Sequence, residues 1–403
     1  MISVHEAQKQ ILNLQTKTPT ICIELNRAQG YVLAQDIFSQ LDIPHFNSSA
    51  MDGIAVRSSD LQNASSAQPV VLKIIDEISA GKIPDKIILP GTCARIMTGA
   101  PVPKSADAVI MQENVSFDKN VVLIINPVKQ GSHIRKQGEE IQAGSHLLNK
   151  GHVLNPASIG CLASAGIANC MVYAKPRVTI LTTGSELKQL GEPLGFGQIY
   201  DSNSLCLKAA IQKIGIAPKI IGPIADEPEK LKEAINEALR DSDHVIICGG
   251  VSVGKYDFNK TIIAKLGVKD IFWQVAQKLG KPLYFGMYND TSVFGVPGNP
   301  ASALVCYYEY ILPALLCSMG FEKNASLPKN NFALISETYH KQAGRQHFVK
   351  AQTYIEQGVL RTTPLKQQDS HMMLSFANAN SLIIAPENIE ALKANTLVEI
   401  HWL

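Results

Sequence analysis

A chain of 403 residues is too long for one ordinary hydrophobic core, so two to four domains are expected. Its 37 basic and 35 acidic side chains leave a formal net charge of +2, which excludes a general nucleic-acid or membrane surface and makes any anion site local. Eight dispersed cysteines without a C-x-x-C pair read as reduced core residues of a cytoplasmic protein. Met1 to Ala7 lack a signal-peptide pattern, and no stretch approaches the roughly 18 apolar residues of a membrane span.

Val4, Ala7, Ile11 and Leu14 recur at helical spacing behind Ser3, with Glu6 three residues on. They predict a capped amphipathic helix over 3–14, and a second helical piece is expected over 25–34. Ser48, Ser49, Met51, Asp52 and Gly53 then crowd small and polar groups ahead of a strand at Ile54-Ala-Val56. From 70 to 125, apolar runs at Val70, Lys86, Ala108 and Val121 alternate with turn residues and predict a β-rich domain. Inside it, Thr98, Gly99, Pro101 and Pro103 shape a loop. The run from His133 to Ile141 sets Arg135 and Lys136 against Glu139 and Glu140, a composition ordinary on a solvated face.

Asn155 and Pro156 open a helix predicted to run to about 168. Beyond Arg177, strands at 178–181 and 218–224 alternate with helices at 203–214 and 228–239. That alternation predicts a mainly parallel sheet with helices on both faces and a ligand site beyond the carboxyl ends of its strands. The stretch from His244 to Asp257 is the densest. A buried strand runs into Gly249-Gly-Val-Ser-Val-Gly254, where Gly249, Gly250 and Gly254 permit a sharp turn and Ser252 adds a hydroxyl. Successive N–H groups of such a turn form an anion nest, although the spacing is neither a Walker A loop nor a dinucleotide fingerprint. Glu186, Asp226 and Asp257 each follow a predicted strand, so three carboxylates are expected on one sheet edge, as a Mg²⁺-assisted phosphate site requires. Lys278 and Lys281 flank a glycine turn and suit a small tetrahedral oxyanion. Asn299-Pro300 starts a helix to about Met319. After Leu327 the helical pattern gives way to strands at Phe332, Phe348, Ser381 and Leu397, a small β-domain.

Seven stretches stand in order: Ser49-Ala-Met-Asp-Gly53, Thr98-Gly-Ala-Pro-Val-Pro103, Ile134-Arg-Lys-Gln-Gly-Glu-Glu-Ile141, Thr183-Gly-Ser-Glu-Leu187, Gly249-Gly-Val-Ser-Val-Gly254, Gly280-Lys-Pro282 and Pro297-Gly-Asn-Pro300. Together they closely resemble the molybdopterin molybdenumtransferases, bacterial molybdenum-insertion enzymes similar to the E domain of gephyrin. The resemblance spans nearly the whole chain. It implies a multidomain α/β and β fold assembled as an elongated homodimer. Residues 1–44 plus 145–176 would form a linking and dimerisation domain, and 45–144 a β-rich insertion domain. Residues 177–326 would form the central three-layer α/β/α molybdopterin-binding domain, and 327–403 a C-terminal small β-barrel.

It also implies an active site between the α/β domain of one subunit and the insertion of the other. There molybdate and adenylylated molybdopterin would meet Mg²⁺, AMP would leave, and molybdenum would stay on the dithiolene. Catalytic roles are implied for Asp52, Thr98, Glu140, Glu186, Lys278 and Lys281, and metal binding for Glu186, Asp226 and Asp257. Substrate contacts are implied for Gly249, Gly250, Ser252, Gly254, Pro297, Gly298, Asn299, Arg345, Lys350 and Ser370. The molybdopterin adenylyltransferase and the molybdoenzymes that receive the cofactor become expected partners. Ser185 and Glu140 depart from the family's usual Asp, Leu279 from its Pro and Lys350 from its Arg. One rival reading is the adenylyltransferase itself, whose single domain resembles residues 177–320. Another is a non-catalytic scaffold, supported by Ser185 and Lys350 alone. The Met51-Asp-Gly53 and Thr98-Gly-Ala100 motifs lie outside the shared domain and favour insertion.

Overall fold

The computed structural model of the chain describes residues 1–250 and 258–403. Its central element is a six-stranded sheet in the order Lys219–Ile224, Val178–Thr183, His244–Cys248, Thr291–Val296, Tyr284–Tyr288 and Lys269–Trp273. The first four strands are parallel; the fifth, Tyr284–Tyr288, runs against them, and the sixth pairs antiparallel to the fifth and so runs with the first four. The mainly parallel sheet expected from strand–helix alternation therefore carries an antiparallel flank. Its cause is local. Only Asn289 and Asp290 separate two strands, Asn289 takes φ +52°, and so short a connection closes a hairpin where a parallel crossover needs a dozen residues.

Side chains alternate across this sheet. Ile180, Ile246 and Phe294 face a core shared with the helices Val4–Leu14 and Asn203–Gln212. Leu181, Val245, Ile247 and Val293 face the opposite core, under the helix Pro228–Asp241. This is the three-layer domain. Its longest helical stretch, Pro300–Ser318, corrects one expectation: at 19 residues it is long and apolar enough to cross a membrane. Because 83% of its apolar window is buried inside the protein, it is read as a core helix.

Two stretches on either side of the insertion pair with each other. Thr20–Glu24 lies antiparallel to Asn169–Tyr173, and Ile37–Phe38 to His146–Leu148. The helix expected over 25–34 shrinks to one turn, Leu25–Arg27. Gly30 at φ +77° breaks it, and Val32 and Leu33 bridge to Val153 and Val172. The insertion holds a second six-stranded sheet, ordered Ala108–Met111, Gly53–Val56, Thr92–Ile96, Val70–Ile78, Val121–Ile124 and Ser116–Asp118. The run at Lys86 is not a strand. Ile88 is buried between exposed Ile87 and Leu89, but the Ile88 N–H donates to Ser105 Oγ at 2.7 Å and the Leu89 N–H to Thr92 Oγ1 at 2.8 Å, so these backbone groups are taken by side chains and not by a neighbouring strand.

In the C-terminal domain, Gln346–Glu356, Val359–Pro364, Asn331–Ile335, Leu397–Trp402 and Ser381–Ala385 pair in succession, and the last returns to the first to close a small barrel. The strand at 359–364 and the short helix Met373–Ala377 were not expected. Ile383, Val349 and Ala351 fill the barrel, while Phe348, Leu382 and Ile384 reach the α/β core. Gln277–Lys278 adds in parallel to Gln346–His347, fastening the lysine loop to the barrel. All eight cysteines are free, and five of them (Cys93, Cys170, Cys248, Cys306, Cys317) are buried.

Candidate active site

The carboxyl edge of the parallel strands is built from tight turns. Gly249 takes φ +92°, and a Cβ there would lie 2.6 Å from the Thr183 carbonyl oxygen, so no larger residue fits without displacing backbone. The loop at Gly298 abuts it, since a Cβ on Gly298 would meet the Gly249 Cα at 4.0 Å. Asn203 Nδ2 donates to the Gly298 carbonyl at 2.7 Å, and its buried Oδ1 has no hydrogen-bond partner. Asp201 beneath is structural: Oδ2 accepts from Thr182 Oγ1 at 2.8 Å and Oδ1 from the Ser204 N–H at 3.1 Å. Sequence reasoning missed Asn203 as a site residue. Its signal was present in Asp201-Ser-Asn203, but it read as a helix cap and nothing more. Ser252, Gly254 and Asp257 lie outside the described residues, and Gly250 is half-buried at the mouth of the turn.

The turns that carry two of the three expected carboxylates, Glu186 and Asp226, lie side by side on neighbouring parallel strands, and Ser185 ties these turns reciprocally. The Ser185 N–H donates to Asp226 Oδ2 at 3.4 Å, and the Asp226 N–H donates to Ser185 Oγ at 3.1 Å. Ser185 thus replaces a carboxylate with a hydroxyl that braces the turn. Gly184, at φ +152°, leaves room for Glu186 to fold back: a Cβ there would sit 2.8 Å from both Glu186 carboxylate oxygens. Both acids are exposed. Among the described residues no three His, Cys, Asp or Glu side chains gather as a metal group.

The lysine loop is locked from below. Gln277 is fully buried, donating from Nε2 to the Leu279 and Gly280 carbonyls at 2.8 and 3.1 Å, while Oε1 accepts from the Tyr310 hydroxyl. The Gly280 N–H donates to Ser302 Oγ at 3.1 Å. Lys278 is left exposed and Lys281 half-buried. Leu279 takes φ +28°, an angle a proline ring cannot adopt, so this turn is shaped differently from one carrying the family's usual residue.

Asn299 Nδ2 donates to Ser370 Oγ at 2.9 Å, and the Ala301 N–H to the Ser370 carbonyl at 3.2 Å, joining barrel and α/β domain beside buried Pro297. Arg345 stands half-buried at the entry to the barrel strand. Lys350 departs from the expected anion ligand. It is fully buried, and its Nζ donates to the Asp369 and Met372 carbonyls at 3.1 and 3.3 Å. Burial pushes its pKa down from the usual lysine value. Its charge is spent holding the loop that carries Ser370, so it acts on the site through that loop.

Asp52 and Thr98 form a separate pair on the insertion, which also carries Glu140. Asp52 Oδ1 accepts from the Thr98 N–H at 2.7 Å and from the Thr98 hydroxyl at 2.8 Å. These bonds, the backbone one first, hold the Asp52 carboxyl below its usual pKa. The Glu140 N–H donates to the Ile43 carbonyl at 3.0 Å, and its side chain is exposed. Among the described residues no hydrogen bond or ion pair joins this group to the carboxyl edge of the parallel sheet.

This geometry meets three family models in chain order. Residues 2–166 match the MoeA N-terminal region (domain I and II), 179–316 the probable molybdopterin binding domain, and 333–403 the MoeA C-terminal region (domain IV). The chain belongs to the molybdopterin molybdenumtransferase (MoeA) family. It is 35% identical over 404 aligned residues to the molybdopterin molybdenumtransferase of Haemophilus influenzae, covering 100% of this chain and 98% of that one. It is 36% identical to the enzyme of that name from a Nostoc species, covering 96% and 90% of the two chains. The crystal structure of a Pyrococcus horikoshii MoeA protein superposes with a TM-score of 0.84 at 31% identity, over 100% of this chain and 99% of that one. The family places this enzyme in molybdenum cofactor biosynthesis. Its three matched segments extend well beyond the single domain on which the adenylyltransferase reading rested.

Proposed function

We propose that the chain transfers molybdate-derived molybdenum to adenylylated molybdopterin with release of AMP, acting as a Mg²⁺-dependent homodimer in the cytoplasm. The reading is carried by one observation. The Gly249 turn abuts the Gly298 loop, and the turns that carry Glu186 and Asp226 are joined through Ser185 and Asp226, so anion-binding backbone and hard oxygen donors share one sheet edge. The donor set fits a divalent cation: both carboxylates are exposed, and Asp226 Oδ2 has only a long 3.4 Å contact from the Ser185 N–H. Glu186 and Asp226, with Asp257, would hold the ion. When bound it supplies compensation for charge developing on the pyrophosphate.

The chain's own residues do the positioning. The turn at Gly249 and Gly250, with Pro297, Gly298 and Asn299, binds and orients the phosphate-bearing pterin. Lys278, Lys281 and Arg345 offer cations to molybdate, and Ser370 is presented beside them by Asn299 and Lys350. Asp52, kept ionised by Thr98, and Glu140 complete the site from the insertion of a second copy, since one chain leaves them apart from the sheet edge. Eight free thiols suit a reducing cytoplasm. The molybdopterin adenylyltransferase would supply the substrate, and molybdoenzymes would take the product.

Incubation with adenylylated molybdopterin, Mg²⁺ and molybdate tests the proposal. AMP and molybdenum cofactor should appear together, and their absence would sink it. Sedimentation should find a dimer.

A further inference from the structure

We propose a second ligand site at the amino edge of the parallel strands, a cavity that takes a small organic anion, carboxylate or phosphate monoester, between Lys17, Arg177 and Arg240. It stands apart from the site proposed above. The strand His244–Cys248 separates the cavity from the Gly249 turn by its five residues, roughly 16 Å.

The strands bring the site together. Arg177, Asp243 and Asp290 each stand one residue before a parallel strand, and all three line a cavity of about 470 Å³. Arg240, in the last turn of the helix Pro228–Asp241, lines the same space. So do residues 16–19, which lead from the first helix to the strand Thr20–Glu24. The volume falls within the range of small-molecule sites, about 300–1,000 Å³, and exceeds what a bare inorganic ion fills.

The groups its wall leaves unspent decide the ligand. The Thr18 hydroxyl donates to the Ala174 carbonyl at 2.6 Å, and Thr291 Oγ1 donates to the Ser242 carbonyl at 2.9 Å. Asp243 accepts from the Arg177 N–H and Nη2 at 2.7 and 2.9 Å, so its charge is matched. Helix-end carbonyls, which could consume cations, are served as well: Ser318 by the Thr18 N–H at 2.9 Å and Ile11 by Gln15 Nε2 at 2.9 Å. Lys17 and Arg240 are exposed, and among the described residues neither head group makes a hydrogen bond or ion pair. Lys17 Nζ rests over the Tyr173 ring, 5.1 Å from its centroid, and Glu237, which acts on Arg240, is itself paired with Lys219 at 2.6 Å. Asp290 is the one lining carboxylate left unpaired among the described residues, against these two cations and the outer face of Arg177. Donors in excess call for acceptors. His244 closes the inner wall at 1% exposure, with Nε2 3.0 Å from Ser318 Oγ and a buried Nδ1 that has no hydrogen-bond partner. A buried nitrogen without a partner is uncommon and calls for a group to meet it. An oxygen-rich anion brings acceptors to the cations at the mouth and a polar group toward the histidine. Seated there, it ties residues 16–19 to the α/β domain.

The test is calorimetry on the full-length protein at low salt, with malate and glycerol 3-phosphate as probes. At least one should bind, once per chain. Arg240→Gln and Lys17→Gln change exposed side chains and should fold, and each should weaken binding about tenfold, the loss expected for a hydrogen bond to a charged group. Lys278→Ala, on the lysine loop, should bind the probe as the wild type does. The imidazole NMR signal of His244, assigned by its loss in His244→Gln or His244→Asn, should shift at saturation. Binding of malate alone assigns the site to carboxylates, and binding of glycerol 3-phosphate alone to phosphate monoesters; either supports it. Failure of both probes to bind overturns the proposal. So does binding that Lys278→Ala abolishes and Arg240→Gln leaves intact, or binding that leaves the His244 signal unmoved. None of these failures touches the function proposed above, which is read from AMP release.

Discussion

The carboxyl edge of the sheet and the seam between sheet and barrel use the same residue types to opposite ends. Glu186 and Asp226 at the edge, and Lys278 on the loop fastened to the barrel, are exposed. At the seam, Glu309 is fully buried on a π-helical turn, Tyr307–Ile311, and meets His401 of the last barrel strand. His401 Nδ1 lies 2.8 Å from Glu309 Oε1, and Nε2 lies 3.3 Å from Glu399 Oε1. Lys350, also at the seam, gives its charge to two carbonyls. Where charges are matched inside the protein they hold domains together. Where they are left facing solvent they are free to take a ligand.

The largest effect that could break this contrast is on stability. Glu309→Ala strands a buried imidazolium against Glu399 alone and should cost about 3–5 kcal/mol in urea unfolding. A loss below about 1 kcal/mol would mean the pair does not hold the seam. Lys350→Met keeps the apolar stem but leaves the Asp369 and Met372 carbonyls short of a donor, so stability should fall by about 1–3 kcal/mol. If Lys350 were instead a direct anion ligand, molybdate affinity would drop while the unfolding midpoint stayed put.

The next effect depends on pH. His401 is desolvated, which alone would lower its pKa, but hydrogen bonds and charge from Glu309 and Glu399 raise it above 6.5. A raised histidine stabilises fully below its unfolded value and loses that contribution as pH climbs through its folded value. Urea midpoints should therefore fall from pH 6 toward alkaline pH in the wild type. In His401→Gln this component should vanish. The smallest stability effect belongs to the exposed charges: Lys278→Ala should leave the unfolding midpoint unchanged while weakening molybdate binding, measured by calorimetry.

How much of this was legible follows the same division. The parallel strands were readable because runs such as Val178-Thr-Ile-Leu181 and His244-Val-Ile-Ile247 are buried on both faces. Glu186 and Asp226 were placed correctly at strand ends, since strand order converts linear position into shared location. The hairpin flank was missed because its cue is two polar residues between strands. The run at Lys86 looked like a strand from composition, but its backbone N–H groups at Ile88 and Leu89 go to the side chains of Ser105 and Thr92. Lys350 looked like a ligand because sequence reports a charge and not its direction. The Glu309–His401 pair joins residues 92 apart, beyond any local pattern.

The central claim is that the sheet edge and the Asp52–Thr98 group form one site across two subunits. Asp52→Ala and Glu186→Gln should each fold, dimerise and lose AMP release. Co-expressing the two variants and isolating the mixed population tests the claim most directly. If the site is shared, each heterodimer regains one intact site, and random pairing should restore about a quarter of wild-type activity. Heterodimers as inactive as either parent would place both groups in a single subunit's site and contradict the account.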